Sequence, residues 1–144
     1  EIPLSDPGLT AILGVILHTE NGGKTWIRQG DFDVWFLGVH FVNRREGWVV
    51  GVGGTIIHTS DGGRNWVKQY SGVKNSLSDV FFLNDQVGWI VGGEGTILAT
   101  RNGGKNWSKR FSGTRYNLNS IYFIDPKHGW ITGDNGIILK FVPK

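Results

Sequence analysis

No cysteine occurs among the 144 residues of the chain, which excludes disulfide bonds, thiolate catalysis and cysteine-ligated zinc or iron–sulfur sites. Proline is scarce, with four residues. No apolar run approaches the roughly 18 residues expected of a transmembrane helix. Because a chain of about 150 residues can bury roughly 70% of its unfolded surface, we expect a single folded domain over residues 1–144, without a transmembrane segment.

Methionine is also absent, and the chain begins at Glu1. We therefore expect a processed or excised start, for which removal of an export signal is one explanation. Charge of one sign is not concentrated: the net charge is +3, acidic and basic residues are interspersed, and the longest basic run is Arg44-Arg45. Nucleic-acid binders usually gather basic residues on a stripe or tail, so we expect no nucleic-acid partner.

Glycine, in contrast, is abundant, with 23 residues, and much of it belongs to an internal repeat. The segment TENGGKTW ends at Trp26, and its relatives TSDGGRNW and TRNGGKNW end at Trp66 and Trp107, 40 and then 41 residues further on. A Gly-Trp pair recurs with the same period, at residues 47–48, 88–89 and 129–130. Two markers that keep one period indicate a true repeat.

Each repeat contains short apolar runs separated by turns rich in Gly, Asn and Asp. This pattern predicts four short strands per repeat, joined by hairpin-length connections into an antiparallel meander with no room for helices. The predicted strands are 37–42, 47–51, 55–59 and 65–69 in the second repeat, 77–83, 88–92, 96–100 and 106–110 in the third, and 120–124, 129–133 and 137–141 in the last.

Such meanders have two apolar faces and little core of their own, so successive copies must stack. Stacked radially they form a β-propeller, an all-β fold whose repeats have about 40–50 residues. We expect the Gly-Trp aromatics, together with Phe41, Phe82 and Phe123, to fill the wedge between blades. The repeats run over about residues 8–36, 37–76, 77–117 and 118–144, which makes about 3.5 blades.

Closed propellers have roughly four to eight blades, so one copy of this sequence is not expected to close a ring. The first repeat is expected to lack its inner strand, and the last repeat its outer strand. Either the chain is a piece of a longer propeller, or copies associate as a homo-oligomer, most simply a dimer, to cover the exposed blade faces.

The element Thr/Ser-x-Asp/Asn-Gly-Gly-x-Thr/Asn-Trp resembles the Asp-box, or bacterial neuraminidase repeat. The longer pattern FVNRREGWVVGVGGTIIHTSDGGRNWVKQ, residues 41–69, is similar to the repeat of the photosystem II stability and assembly factor family. The resemblance covers about residues 9–141. It implies a β-propeller that acts as a non-enzymatic protein-interaction or assembly scaffold, with a protein partner and no cofactor. It also implies an exported location, whether periplasmic, thylakoid-lumen-like or extracellular.

The Asp-box is expected to fix the hairpin between the third and fourth strands of a blade. Its Asn or Asp can accept hydrogen bonds from the following amides, and its glycines permit positive φ. Calcium binding by Asp61 is the functional alternative, but Asn stands at both equivalent positions, so we predict no metal site. The structural box residues are Thr19, Asn21, Gly23, Trp26, Thr59, Asp61, Gly63, Trp66, Thr100, Asn102, Gly104 and Trp107.

Asp-boxes also occur in sialidases, so the alternative function is that of a carbohydrate-active protein, either a glycan-binding lectin or a sialidase-like hydrolase fragment. By family resemblance, such a hydrolase needs a tyrosine nucleophile with a glutamate and an acid/base aspartate. Tyr70, Tyr116 and Tyr122 have no suitably spaced glutamate. Glu94 and Asp134 lie in corresponding turns, which are more often solvent-facing than catalytic. We therefore predict no catalytic residues; a partial or engineered propeller without a selected ligand also fits the sequence.

Two surfaces are candidates for binding a partner. The longest loops, 30–36, 70–76 and 111–117, are expected at one rim of the blades, where aromatic and arginine side chains are typical interface anchors. The candidate rim residues are Trp35, Lys74, Asn75, Arg115, Tyr116 and Asn117. The opposite end is expected to carry a basic face formed by Arg44, Arg45, Arg64, Arg101 and Lys127.

Overall fold

The computed structural model describes residues 14–143, which form thirteen β-strands. The strands are β1 (Gly14–His18), β2 (Ile27–Phe32), β3 (Phe36–Phe41), β4 (Gly47–Gly51), β5 (Ile56–Thr59), β6 (Val67–Gln69), β7 (Leu77–Phe82), β8 (Gly88–Gly92), β9 (Ile97–Thr100), β10 (Ser108–Arg110), β11 (Leu118–Asp125), β12 (His128–Gly133) and β13 (Ile138–Phe141). No helix among these residues is long and apolar enough to cross a membrane.

The chain divides into two compact units, Glu1–Trp35 and Phe36–Lys144. In the first unit, β1 and β2 pair antiparallel across the first of the three Asp-box-like segments, which keep the label Asp-box below, with an irregularity between Val15 and Leu17. The predicted start of the first repeat, near Gly8, lies outside the described residues. The single domain over residues 1–144 stays a prediction.

The second unit contains three successive antiparallel sheets. The first blade has the strand order β3-β4-β5-β6, the second blade repeats it with β7 to β10, and the third blade pairs β11-β12-β13. Every sheet follows chain order because neighbouring strands are joined by short connections. The predicted partial all-β propeller is confirmed, and in the second unit each strand end lies within two residues of its predicted position.

The connection between the second and third strands of each blade differs from a simple hairpin loop. It is a three-residue 3₁₀ turn whose middle residue is left-handed, at Gly53 (φ 65°), Glu94 (φ 54°) and Asn135 (φ 58°). Glycine and asparagine adopt this conformation readily, whereas glutamate does so at a cost. The sequence predicts the length of this connection, but not its conformation, because nothing marks Glu94 as a left-handed residue.

The blades of the second unit pack through a repeated stack of glycine, phenylalanine and tryptophan. Phe82, at the end of β7, lies flat over Gly88 on the next strand, where an added Cβ would fall 2.6 Å from the ring. Trp48 of the preceding blade covers the other side of that ring, with centroids 3.6 Å apart and planes 10° from parallel. Gly88, the residue before Trp89, must therefore be a glycine, because the Phe82 ring fills the space that a side chain would occupy.

The same stack joins the second and third blades. Phe123 lies over Gly129, which has no room for a side chain, and Trp89 stacks on Phe123 at 4.1 Å and 14°. Of the aromatic residues expected in the wedges, Trp48, Phe82, Trp89 and Phe123 are thus found between these blades. Phe41 instead packs over Gly47 and at the edge of Trp66, within its own blade. The two buried clusters of the second unit follow the same plan, and contain Trp48, Val50, Ile56, Leu77, Val80, Phe82, Ile90 and Leu98 in one and Val91, Ile97, Leu118, Ile121 and Phe123 in the other.

A polar contact closes the outer part of the junction between the first and second blades. Gln69, the last residue of β6, donates from its amide to the Gly103 carbonyl at 2.9 Å and accepts the indole N–H of Trp107 at 3.2 Å. The Gly103 carbonyl also accepts the indole N–H of Trp48 at 3.3 Å. The Asp-box of one blade is thereby bonded to the outer strand of the blade before it.

We expect Trp48→Ala to lower the free energy of unfolding by about 3–5 kcal/mol, as large truncations in a core do. The reason is that Trp48 is fully buried and carries both the aromatic stack and the bond to Gly103. Urea denaturation followed by circular dichroism measures the change. Trp48→Phe, which keeps a ring and loses the N–H, should cost clearly less. An unchanged midpoint for the alanine variant would contradict this account of the junction.

Candidate functional site

The Asp-box hairpins of the structure are built from local hydrogen bonds. In the second box the Thr59 hydroxyl accepts the Gly63 amide at 2.8 Å and donates to the Asp61 carboxylate at 2.8 Å. That carboxylate also accepts the backbone and side-chain N–H groups of Asn65, at 2.9 and 2.8 Å. Gly62 and Gly63 have φ values of 75° and 88°, which a residue with a Cβ rarely adopts. The box is thus a closed network whose bonds turn inward on the hairpin.

The other two boxes have the same geometry with Asn in place of Asp. Asn21 accepts the Thr25 amide at 2.9 Å, and Asn102 accepts the Asn106 amide at 3.0 Å. The box threonine again accepts the second glycine amide, at 2.9 Å in both hairpins. The box tryptophans differ more: Trp26 is 52% exposed, whereas Trp107 packs at the edge of Phe82.

The Asp61 carboxylate is committed to its own turn. Hydrogen bonds from Asn65 and Thr59 lower the pKa of Asp61 from its ordinary value of 3.8 to about 2. Within residues 14–143, no three His, Cys, Asp or Glu side chains come together as a metal site would require.

The predicted basic face lies at the end of the blades where the Asp-box meets the turn between β3 and β4. The Gly62 amide donates to the Arg45 carbonyl at 3.0 Å, so this turn and the box are fastened to each other. Arg44, Arg45 and Arg64 are exposed beside that bond. The second blade has the same fastening, from the Gly103 amide, but carries a single exposed arginine, Arg101, on its box.

Two of the carboxylates at this end have partners other than these arginines. Glu46 contacts the His58 ring at 2.7 Å, and Asp125 contacts His128 at 2.8 Å and accepts the Lys127 amide. The Lys127 amide and the His128 ring lower the pKa of Asp125. Among the ion pairs of residues 14–143, none involves a side chain of the basic face. Its positive charge is therefore available to a ligand.

The predicted rim lies at the other end of the strands, and its two loops in the second unit share one conformation. Ser71 bonds across its loop to Val73 at 3.1 Å, and Ser112 bonds to Thr114 at the same distance. Beneath each loop lies a left-handed glycine of a 3₁₀ turn, Gly54 or Gly95, where a Cβ would collide with the loop carbonyl. These contacts hold the loops in place and leave their outer side chains in solvent.

The candidate rim residues differ in their exposure and in their contacts. Lys74, Arg115 and Tyr116 are exposed on the loops, and Asn75 is half-buried. Asn117 is also exposed, and its side chain bonds within the chain: Oδ1 accepts the Glu94 amide at 3.2 Å, and the side-chain amide donates to Asp134 at 2.9 Å. Trp35 belongs to the first unit, where it is 59% exposed.

Two aromatic residues that the sequence analysis did not select are the most exposed of the large hydrophobic side chains described. Tyr70 is 88% exposed and Phe111 is 96% exposed, and each begins a rim loop. Both stand four residues after a box tryptophan, so the period itself was the signal that could have found them.

The hydrolase alternative depends on a carboxylic acid that can donate a proton. Asp134 accepts hydrogen bonds from Asn119 and Asn117, which lower the pKa of Asp134. A carboxylate whose ionised form is stabilised in this way is poorly suited to act as a general acid.

Comparison with known proteins gives one family and two similar structures. A family model described as photosynthesis system II assembly factor YCF48 matches residues 67–142, just over half of the chain. A solved structure of YCF48 bound to D1 peptide is 27% identical, with a TM-score of 0.67 over 74% of this chain and 37% of that one. YCF48 from Cyanidioschyzon merolae is 22% identical, with a TM-score of 0.78 over 92% of this chain and 46% of that one, and supports the fold alone. The chain thus spans less than half the length of either structure. No curated protein matches it.

We expect low pH to destabilise the Asp-box of the first blade, because it contains Asp61. Because the pKa of Asp61 is depressed in the folded state, its stabilising effect is present above about pH 3.8 and lost as the pH falls towards about 2. Asp61→Asn reproduces the other two boxes and removes this ionisation. Melting temperatures measured from neutral pH down to pH 2 should therefore fall less steeply for the variant. Parallel curves for the two proteins would show that Asp61 does not titrate as inferred.

Proposed function

The chain belongs to the photosynthesis system II assembly factor YCF48 family, and from this membership we propose that it is a non-enzymatic assembly module that binds a segment of a partner protein. The observation that carries the proposal is its similarity to a structure of YCF48 bound to D1 peptide. Because the chain covers 37% of that protein, the partner itself belongs to the proposal.

We place the binding surface on the basic face. Arg44, Arg45 and Arg64 are exposed around one turn, and the carboxylates of Glu46 and Asp125 are held by histidines. Arginine binds carboxylates through two parallel hydrogen bonds, so a cluster of this kind suits an acidic segment or a free carboxyl terminus. The partner chemistry we propose is therefore an anionic peptide. The location we propose is an exported compartment, as the sequence resemblance implies.

Charge reversal at one end of the blades tests this assignment. We expect the double variant Arg44→Glu with Arg45→Glu to weaken binding of an acidic D1-type peptide by about tenfold or more, measured by fluorescence anisotropy, because close charge pairs at an interface contribute strongly. The matched control is Lys74→Glu with Arg115→Glu at the opposite rim, which should leave the affinity unchanged. Equal loss in both variants would remove the assignment to the basic face.

We also propose that a second copy of the chain covers the outer face of the third blade. Trp130 occupies the repeat position of Trp48 and Trp89, and Tyr122 lies directly across from it in the sheet. On the same face Tyr122 is 63% exposed and Ile138 is 68% exposed, and Lys140 pairs with Trp130. The two junctions within the second unit show that such a face packs against another blade of the same repeat. An apolar surface of this kind favours self-association in water.

Ile138→Lys tests this association without disturbing the fold, because the side chain is already exposed. In sedimentation velocity we expect the unmodified chain to form a dimer at micromolar concentration and the variant to be monomeric. Val67→Lys, an exposed apolar site on the outer strand of the first blade, should leave the dimer intact. A monomeric unmodified chain, or a dimer that persists in Ile138→Lys, would contradict the proposal.

A further inference from the structure

The rim loops of the second unit present the same pair of side chains twice. An aromatic ring begins each loop, Tyr70 in one and Phe111 in the other, and a basic side chain follows four residues later, Lys74 or Arg115. All four side chains are exposed, the rings to 88% and 96%. We call these four residues the aromatic–basic rim.

The exposure of the two rings results from an ordered backbone. Each loop is closed by its serine and rests on the left-handed glycine of a 3₁₀ turn, and the Gly95 amide donates to the Tyr116 carbonyl at 2.9 Å. A Cβ added at Gly72 would lie 3.8 Å from the Tyr70 ring, and one added at Gly113 would lie 3.9 Å from the Phe111 ring, so each loop has a glycine beside its ring. The loops thus carry their aromatic rings outward on fixed supports, at matching positions of two blades.

The charges near the aromatic–basic rim are mainly positive. Lys68, Lys109 and Arg110 are exposed on the outer strands that lead into the two loops. Two carboxylates at this end lie in the 3₁₀ turns, Glu94 and Asp134, and Asp134 is held by two asparagine amides. A third, Asp79 near the start of β7, accepts the Ser120 hydroxyl and the Ile121 amide. A ligand that approaches the outer rim therefore meets aromatic rings surrounded by positive charge.

We propose that the aromatic–basic rim docks on the surface of an anionic lipid bilayer. Aromatic residues favour the region between lipid headgroups and acyl chains, and lysine and arginine beside them bind acidic headgroups. The two rings are almost fully exposed and project from successive blades, which suits insertion into a flat, deformable surface. Both signals are needed together, because shallow insertion or charge alone gives weak and reversible binding.

This docking goes beyond the proposed partner binding and uses the other end of the molecule. In an antiparallel blade the Asp-box hairpins lie at one end of the strands and the rim loops at the other. A chain bound to lipid through the aromatic–basic rim would hold the basic face away from the bilayer, where it can meet a protein segment.

Vesicle co-sedimentation tests the proposal. We expect the unmodified chain to bind vesicles of phosphatidylglycerol mixed with phosphatidylcholine, to bind pure phosphatidylcholine far less, and to be released by salt. Tyr70→Ser with Phe111→Ser, and separately Lys74→Glu with Arg115→Glu, should each reduce binding by about tenfold, since each removes one of the two signals. The matched controls are Val67→Ser and Arg44→Glu with Arg45→Glu, which change an exposed apolar site and the opposite charged end.

Unchanged melting temperatures will show that the variants are folded. Absence of vesicle binding, equal binding to neutral and anionic vesicles, or equal loss in the controls would each overturn the proposal. If the rim variants lose affinity for an acidic peptide while no protein sediments with vesicles, the rim binds protein instead of lipid. The peptide assay on the basic face is a separate measurement, so failure of either proposal leaves the other to stand on its own result.

Discussion

Contact between aromatic rings across neighbouring blades is the interaction on which the second unit depends. A single blade buries little, because both faces of its sheet are apolar and only adjacent sheets can cover them. The stack of Trp48 on Phe82, with Phe82 seated on Gly88, converts two separate sheets into one core. Each of the three residues has a different role in the stack. The glycine leaves space by having no side chain, the phenylalanine ring lies flat on it, and the tryptophan comes from another repeat.

Much of this architecture could be predicted, because the repeat is recorded in residues with strict steric roles. The Gly-Trp pairs and the Asp-box glycines can be recognised without an alignment, since substitution would cause a collision or a strained φ. The bond between Gln69 and Trp107 could not be predicted, because it joins different repeats and only the packing of neighbouring blades brings the two side chains together. The left-handed Glu94 escaped prediction for a similar reason: the local sequence favours no such conformation, and its amide is held by the distant Asn117.

The candidate surfaces were predicted less completely than the fold. Sequence placed the basic residues and the long loops at opposite ends, as the antiparallel topology requires. It assigned Asn117 to the exposed rim, where the residue lies, but did not predict that its side chain joins a loop to two turns. The predicted rim residues also do not include Tyr70 and Phe111, because an aromatic residue at a strand end is more often expected to pack than to project into solvent. Exposure depends on the path of the loop, which is set by contacts with the neighbouring turn.

The bridge formed by Gln69 also bears on how such a chain could grow by gene duplication. The corresponding position of the second blade is Arg110, so the two outer strands are not interchangeable. If a duplicated segment began and ended at the edges of one sheet, Gln69 would be separated from Trp107. If it began and ended in the middle of a sheet, both residues would be duplicated together. The unit that duplication has to keep intact is therefore the interface between two sheets. Recombination should preserve function best when its breakpoints fall inside a blade.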